Sequence, residues 1–352
     1  MTKKYEVTID LFKSNLPGSI DNSAFVQQAL KDRLIQDIDN AVREYETELE
    51  YRNSETESKG IISEAGRQLF FIDGTRGAGK TTFMNDIVRY FMKSKQIHAL
   101  RCIDPTKLPQ VEPILVTVIA QLNSDVTRAI KSTSGWDSGF NAKKEEWQNC
   151  LKSISKAIQL LDKKEYSKDF FDESLELNAL LTNASDGLGL EEQFSNLLKQ
   201  ACNILGCKAI LVAFDDIDTK FDTGWQVLES IRKYFNSPRL IVLMTGDLRL
   251  YSQLIRGKQY RNYDELLLRE EGSEEEKANR SIMVNHLEQQ YLIKLLPVHR
   301  RINLKSLYQL VFEKNEQIFV NTTNKNESGS NRTIKLLDTA INEMLGKVRT
   351  SP

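Results

Sequence analysis

The stretch Gly74-Thr75-Arg76-Gly77-Ala78-Gly79-Lys80-Thr81 has the form G-x-x-x-x-G-K-[ST], and it decides the fold expected of this chain. It follows the apolar run at residues 68–72, which is typical of a strand. It precedes apolar residues at helical spacing: Phe83, Met84, Ile87, Val88 and Phe91. A strand, a glycine-rich loop and a helix in this order form the context that a phosphate-binding loop requires. The sequence therefore predicts a nucleoside triphosphate site here.

The residue types of this loop suit a bound triphosphate. Glycines let the backbone curl so that successive N–H groups face phosphate oxygens, and the positive end of the following helix adds to the attraction. We expect Lys80 to reach the β- and γ-phosphates and the hydroxyl of Thr81 to bind Mg²⁺. ATP and Mg²⁺ are the expected ligands. The predicted nucleotide-binding residues are Gly74, Thr75, Arg76, Gly77, Ala78, Gly79, Lys80, Thr81 and Thr82.

Acidic residues follow a later apolar run, at residues 209–214, as Asp215-Asp216-Ile217-Asp218. Parallel strands of an α/β sheet bind ligands at their carboxyl ends, so this run would deliver carboxylates beside the phosphate loop. We expect Asp215 to hold Mg²⁺ and Asp216 to orient and deprotonate the attacking water. The simpler alternative is that the two acids cap the start of a helix.

The next apolar run, at residues 240–244, ends in Thr245-Gly246-Asp247. Thr245 is expected to donate a hydrogen bond to the γ-phosphate or to the attacking water, and an ordinary turn at a strand end is the alternative. Short apolar runs bounded by polar residues are typical of buried parallel strands. Their alternation with helical patterns predicts an α/β fold, a parallel sheet between layers of helices.

Three segments are expected along the chain. Residues 1–66 would form a strand, near residues 5–11, and a helix. Residues 67–302 would form the core domain, with a helical insertion at about 133–190 that has no strong strand signal. Residues 303–352 would form a C-terminal helical lid that is truncated in this chain.

Composition limits the class of protein. Hydrophobic residues make up 40% and charged residues 28%, as in a globular protein. No apolar run approaches the roughly 18 residues that span a bilayer, and the N-terminus lacks the apolar stretch of a signal peptide, so we expect no membrane contact and a cytoplasmic location. The net charge of −1 gives no general attraction to nucleic acid, although a local basic patch stays open. Four scattered cysteines and three histidines favour free thiols over a zinc site.

Taken together, the motifs resemble the AAA+ and STAND/KAP branch of P-loop ATPases over about residues 66–348. The resemblance implies Mg²⁺-dependent ATP hydrolysis by a homo-oligomeric ring. Residues 295–302 fall where such proteins often carry an arginine that reaches a neighbouring subunit's γ-phosphate, which makes Arg300 and Arg301 candidates. A structural salt bridge is the alternative for both.

The resemblance extends to two further positions. Residues 330–337 are similar to the sensor-2 stretch of that branch, where Arg332 takes the place of the arginine that opens a lid helix. Asp216 stands where AAA+ proteins usually have glutamate, as it does in STAND and KAP members. The shorter acid implies slow or partner-dependent hydrolysis.

At finer grain, the phosphate loop, residues 101–106 and residues 296–302 resemble the ATPase component of RADAR phage-defence systems. That resemblance implies an antiviral role, ring assembly, a longer parent protein and a partner adenosine deaminase. The chain itself carries no H-x-E…P-C-x-x-C zinc signature of a deaminase.

Three other functions were weighed against the ATPase. A GTPase needs N-K-x-D after a strand, and the similar run at residues 324–327 ends in glutamate within a polar stretch. A small-molecule kinase would share the phosphate loop but needs an acceptor pocket and a lid. A scaffold whose assembly is gated by nucleotide, with little turnover, also fits the motifs.

Overall fold

A computed structural model of the chain describes residues 7–10, 27–54, 68–107, 114–132, 139–162, 173–267, 274–306, 308–310, 318–321 and 334–336. The helices in these ranges are α1 (Gln28–Ser54), α2 (Lys80–Met92), α3 (Ile114–Ser132), α4 (Gly139–Asp162), α5 (Glu173–Leu205), α6 (Phe221–Tyr234), α7 (Leu248–Leu267) and α8 (Glu274–Leu295). The strands are β1 (Val7–Asp10), β2 (Gln68–Asp73), β3 (Ile97–Ala99), β4 (Ala209–Phe214), β5 (Leu240–Gly246), β6 (Arg301–Asn303), β7 (Ile318–Asn321) and β8 (Ile334–Leu336).

The central sheet has five parallel strands in the order β3-β4-β5-β2-β6. In its register, Phe71 of β2 lies between Met244 of β5 and Arg301 of β6. Because every strand runs in the same direction, all five carboxyl ends meet at one edge. The prediction of an α/β fold with a parallel sheet between helices is confirmed.

Successive residues of each strand point to opposite faces, so the sheet separates two apolar cores. On one face Phe70 and Ile72 pack with α1 and α2. On the other face Leu69 and Phe71 pack with side chains of α3 to α8. All residues of β4 and β5 are buried, which explains why these strands are continuous apolar runs without alternation.

The predicted insertion at about 133–190 is helical in its described part, where α4 packs against α5. Trp147 of α4 is buried and donates its indole N–H to Asn123 Oδ1 at 2.9 Å. It therefore serves as a packing anchor. The helix continues beyond the predicted boundary to Leu205, because the last turns of α5 carry apolar side chains into the core.

The C-terminal segment differs from the expected helical lid. In the described part of residues 303–352, β7 and β8 form an antiparallel pair, and β7 pairs in parallel with β1. These three strands form a second sheet that joins the two ends of the chain. The helical lid was expected from the family resemblance, and a pairing between segments some 310 residues apart leaves no local pattern that would have indicated strands instead.

Membrane insertion has no support from the described helices, since none is both long and apolar enough to cross a bilayer.

Candidate functional site

The loop between β2 and α2 holds two glycines in a backbone conformation that other residues adopt at a cost. Gly77 and Gly79 both have φ of +83°. A Cβ at either position would meet no other described atom within 4 Å, so the requirement for glycine comes from the backbone and not from crowding. The open space around the loop is what a ligand that approaches the backbone would need.

Lys80 folds back over the loop from the first position of α2. Its Nζ donates hydrogen bonds to Gly74 O at 2.7 Å and Thr75 O at 3.2 Å. An ammonium group has three donors, and phosphate oxygens could replace these two carbonyls. Thr81 and Thr82 in the same turn are exposed, and this turn has no acidic residue to oppose an anion.

Hydrogen bonds fix the loop against the neighbouring strand ends. The N–H of Gly74 donates to Gly246 O at 3.1 Å, at the end of β5. The Asp73 carboxylate accepts from the N–H of Leu248 at 3.0 Å, at the start of α7. The Asp73 carbonyl accepts from the N–H of Leu304 at 2.7 Å, just after β6. The loop between β2 and α2 is thereby held by the strands on both sides of β2.

Asp215 lies at the end of β4 and is buried, and its carboxylate accepts a hydrogen bond from the hydroxyl of Thr245. Thr245 is fully buried, and its carbonyl accepts from the hydroxyl of Tyr251 at 3.0 Å. The hydroxyl donor of Thr245 is thus used on Asp215, whereas the sequence led us to expect it on phosphate or water. In this geometry Thr245 positions a carboxylate.

Asp216 is one of the two non-glycine residues with positive φ among the described residues, at φ 53° and ψ 33°. It precedes a short 3₁₀ turn at Ile217–Thr219, yet its side chain makes no capping hydrogen bond there. The helix-cap alternative therefore has no support. Burial, followed by the negative charges of Asp215 and Asp218, raises the pKa of Asp216, which makes it a stronger proton acceptor. The charge of Lys80 opposes this shift.

Two further acids near the carboxyl ends of the parallel strands were not among the predicted site residues. Asp218 is buried, accepts from the N–H of Asp247 at 2.8 Å, and has its pKa raised mainly by burial. Asp104 follows β3; burial acts to raise its pKa, but hydrogen bonds from Thr106 and Lys107 outweigh burial and lower it. The Asp-Pro pair that ends the β3 segment was the available signal for Asp104.

Cys102 also lies near the acids. Burial and then the negative charges of Asp215 and Asp104 raise the pKa of its thiol to about 12. The thiol therefore stays protonated at neutral pH. The acids at the carboxyl ends of β3 and β4 thus add to the effect of burial on this thiol.

Arg300 and Arg301, the candidates for an arginine that reaches a neighbouring subunit's γ-phosphate (a finger arginine), make contacts within their own chain. Arg301 donates from Nε to Leu296 O at 2.7 Å and from Nη2 to Leu292 O at 3.3 Å, at the end of α8. The guanidinium of Arg300 lies 5.3 Å from the ring centre of Phe70, and burial lowers its pKa. Arg301 therefore bonds to backbone carbonyls and Arg300 lies over an aromatic ring; these contacts are structural but differ from the salt bridge that the sequence left open as the alternative. Arg332 lies outside the described residues.

The donor set can be tested against a Mg²⁺ ion. The described residues contain no group of three or more His, Cys, Asp or Glu side chains that could enclose a metal. Mg²⁺ bound with a nucleotide needs only one or two protein carboxylates, because phosphates and water supply the other oxygens. The carboxylate of Asp215 and the exposed hydroxyl of Thr81 meet that requirement.

No protein-family model matches the chain, and no curated protein is significantly similar to it in sequence. A functional assignment therefore rests on the residues and their geometry.

Proposed function

We propose that this chain binds ATP together with Mg²⁺ and hydrolyses it. The observation that carries the proposal is that two independent features share one edge of the sheet. One is the loop with left-handed Gly77 and Gly79 that leads into Lys80 and α2. The other is the acid pair at the end of β4, where the charge of Lys80 acts on the pKa of Asp216. A phosphate-binding loop facing carboxylates is the arrangement that phosphoryl transfer needs.

Each side chain has a distinct role in this proposal. Lys80 exchanges its two carbonyl contacts for phosphate oxygens, and the N–H groups of the loop and of α2 face the anion. Asp215, oriented by Thr245, and Thr81 hold Mg²⁺. When bound, this ion neutralises charge on the phosphate oxygens. Asp216 accepts a proton from the attacking water, and its raised pKa suits that role.

The finer assignment is also part of the proposal. Membership of the AAA+ and STAND/KAP branch is supported by the motifs and by an all-parallel sheet that carries the loop at its carboxyl edge. The ring, the antiviral role and the partner deaminase rest on the sequence resemblance. A finger role in a neighbouring subunit for Arg300 or Arg301 would require the guanidinium to leave the contacts described above.

The central test is the binding of Mg-ATP by calorimetry to the full chain and two lysine variants. Lys80→Ala removes the cation of the loop, and we expect ATP affinity to fall at least about tenfold, equivalent to 1.4 kcal/mol. Lys93→Ala is the matched control, because Lys93 is exposed at the opposite end of α2. Equal ATP affinity in wild type and Lys80→Ala would overturn the assignment.

Product analysis separates the ATPase from the other functions. Phosphate release without any added acceptor supports hydrolysis, and strict dependence on an acceptor would instead identify a kinase. Nucleotide binding with a change in assembled size and no phosphate release would identify a scaffold. Preference for GTP over ATP would contradict the expected ligand.

A further inference from the structure

The end of α5 brings two cysteines into contact. Gly206 has φ of +67°, and the N–H of Cys207 donates to Cys202 O at 3.0 Å. This hydrogen bond across a left-handed glycine is the Schellman ending of a helix, in which the two outer residues touch each other. In most such endings that contact is between apolar side chains. Here the residues at these two positions are Cys202 and Cys207, and each thiol acts on the pKa of the other.

The two thiols have different surroundings. Cys202 is almost fully buried, whereas Cys207 is half-buried. The backbone N–H of His98 and the charge of Arg239 act to lower the pKa of Cys207, and Arg239 acts in the same direction on Cys202. Donors and a fixed cation around a partly exposed sulfur are features of reactive cysteines.

These surroundings shift the pKa values of the two thiols in opposite directions. The hydrogen bond from Cys202 lowers the pKa of Cys207, with burial opposing it and the N–H of His98 adding to it. The pKa of Cys202 is raised by the same hydrogen bond and by burial. Cys207 is thus the thiol of the pair that loses its proton more readily, and Cys202 is the neighbour that can resolve an oxidised sulfur.

We propose that Cys207 and Cys202 form a reversible, peroxide-sensitive disulfide at the start of β4. The Cys207 thiolate attacks one oxygen of hydrogen peroxide; the O–O bond breaks, and sulfenic acid and hydroxide result. The Cys202 sulfur then attacks the sulfur of Cys207, the S–S bond forms, and the hydroxyl leaves with the thiol proton as water. Two thiols and one peroxide give one disulfide and two waters.

The location links this pair to the sheet. One residue separates Cys207 from β4, whose six extended residues span about 20 Å and are followed by Asp215. A disulfide would tie the last turn of α5 to the strand that presents the acids. The proposal does not depend on the ATPase assignment, because the thiol chemistry can be measured without nucleotide.

The other two cysteines provide internal controls. The pKa of Cys150 is raised by burial and by Glu146, and that of Cys102 is raised to about 12. We therefore expect both to react slowly with peroxide and with iodoacetamide. If solvent exposure alone governed oxidation, the three partly exposed cysteines, Cys102, Cys150 and Cys207, would react at similar rates.

The test treats the reduced full chain with one equivalent of hydrogen peroxide and maps the products by mass spectrometry. We expect a mass loss of two hydrogen atoms, a linked Cys202–Cys207 peptide and reversal by dithiothreitol. Cys202→Ala should yield a sulfenic acid at Cys207 that dimedone traps. Peroxide consumption should slow at least about tenfold in Cys207→Ala.

A second readout separates reactivity from packing. The pH profile of Cys207 alkylation should move to higher pH in Cys202→Ala, which removes the S–H donor, and should move less in Cys202→Ser, which keeps a donor. Thermal melts check that each variant folds. Alkylation of Cys207 no faster than that of Cys150, or peroxide products spread equally over all four cysteines, would overturn the proposal.

Discussion

Asp216 is the residue at which stability and catalysis are expected to oppose each other. Its backbone is left-handed, and Asp215, Asp218 and Asp104 place negative charge around its carboxylate. Asn has the same shape and tolerates this backbone at least as well as Asp does. We therefore expect Asp216→Asn to be more stable than the wild type and to bind ATP but not to hydrolyse it efficiently.

The expected gain in stability of Asp216→Asn depends on pH, because the pKa of Asp216 is shifted in the folded chain. The folded-state pKa of Asp216 is raised above 3.8, so the folded chain binds the proton more tightly than the unfolded chain. Stability is therefore lost as the pH rises from 3.8 through the folded pKa, and Asn avoids that loss. Solvent screens a partly exposed group, so the gain at pH 7 is roughly 0.5–1 kcal/mol. That corresponds to about 1–3 °C in melting temperature.

Asp104→Asn is the matched control, because its pKa shift has the opposite sign. Ionised Asp104 contributes stability that is present above 3.8 and is lost as the pH falls through its lowered pKa. This variant should therefore melt at a lower temperature than wild type at pH 7, with the difference shrinking toward acid pH. Melting curves at pH 7 and pH 4 for Asp216→Asn, and at pH 7 and below pH 3.8 for Asp104→Asn, supply the comparison.

Catalysis is measured in parallel as phosphate release at saturating Mg-ATP. Loss of a general base lowers turnover by about 10²–10⁴-fold, and calorimetry should give an ATP affinity near that of wild type. Two results would refute the reasoning about Asp216. One is a lower melting temperature than wild type at pH 7, and the other is phosphate release within tenfold of wild type.

Further predictions concern the strand ends and the neighbouring subunit. Thr245→Val leaves the buried carboxylate beside it without its donor and should cost about 1–3 kcal/mol in denaturant unfolding, whereas Thr245→Ser should cost less. In Gly246→Ala the new methyl group would lie 2.1 Å from Tyr251 Cε2, so we expect a lower melting temperature, partly restored by Tyr251→Leu. If Arg301 acts on the γ-phosphate of a neighbouring subunit, a mixture of the Arg301→Ala and Asp216→Asn chains should regain phosphate release. If Arg301→Ala lowers stability and the mixture regains no phosphate release, Arg301 serves only as a cap on α8.

Much of the fold could be predicted, because its signals are local. The apolar runs that became β2, β4 and β5 were identified, and the glycines of the loop have the backbone angles that their motif requires. Segments whose structure depends on distant partners were missed. The strands β7 and β8 were expected as helix.

The same distinction applies to the candidate site. Asp215 and Asp216 follow a buried strand as predicted, but their roles with nucleotide stay predictions. Asp218 was not selected, because its bond to the N–H of Asp247 joins two strand ends that are separated in the sequence. The contacts of Arg301 likewise require the end of α8 to lie beside β6.

The strand–loop–helix at residues 68–92, the paired acids and the parallel α/β class could all be inferred from the residues alone. Glycine conformations and apolar spacing are properties of neighbouring residues, so they can be inferred without a fold. The position of β5 between β4 and β2, and hence the contact between Thr245 and Asp215, became known only from the folded chain. The folded chain also shows that a helix ending joins Cys202 to Cys207. Strand order and side-chain contacts arise from packing of the whole chain, which local periodicity does not encode.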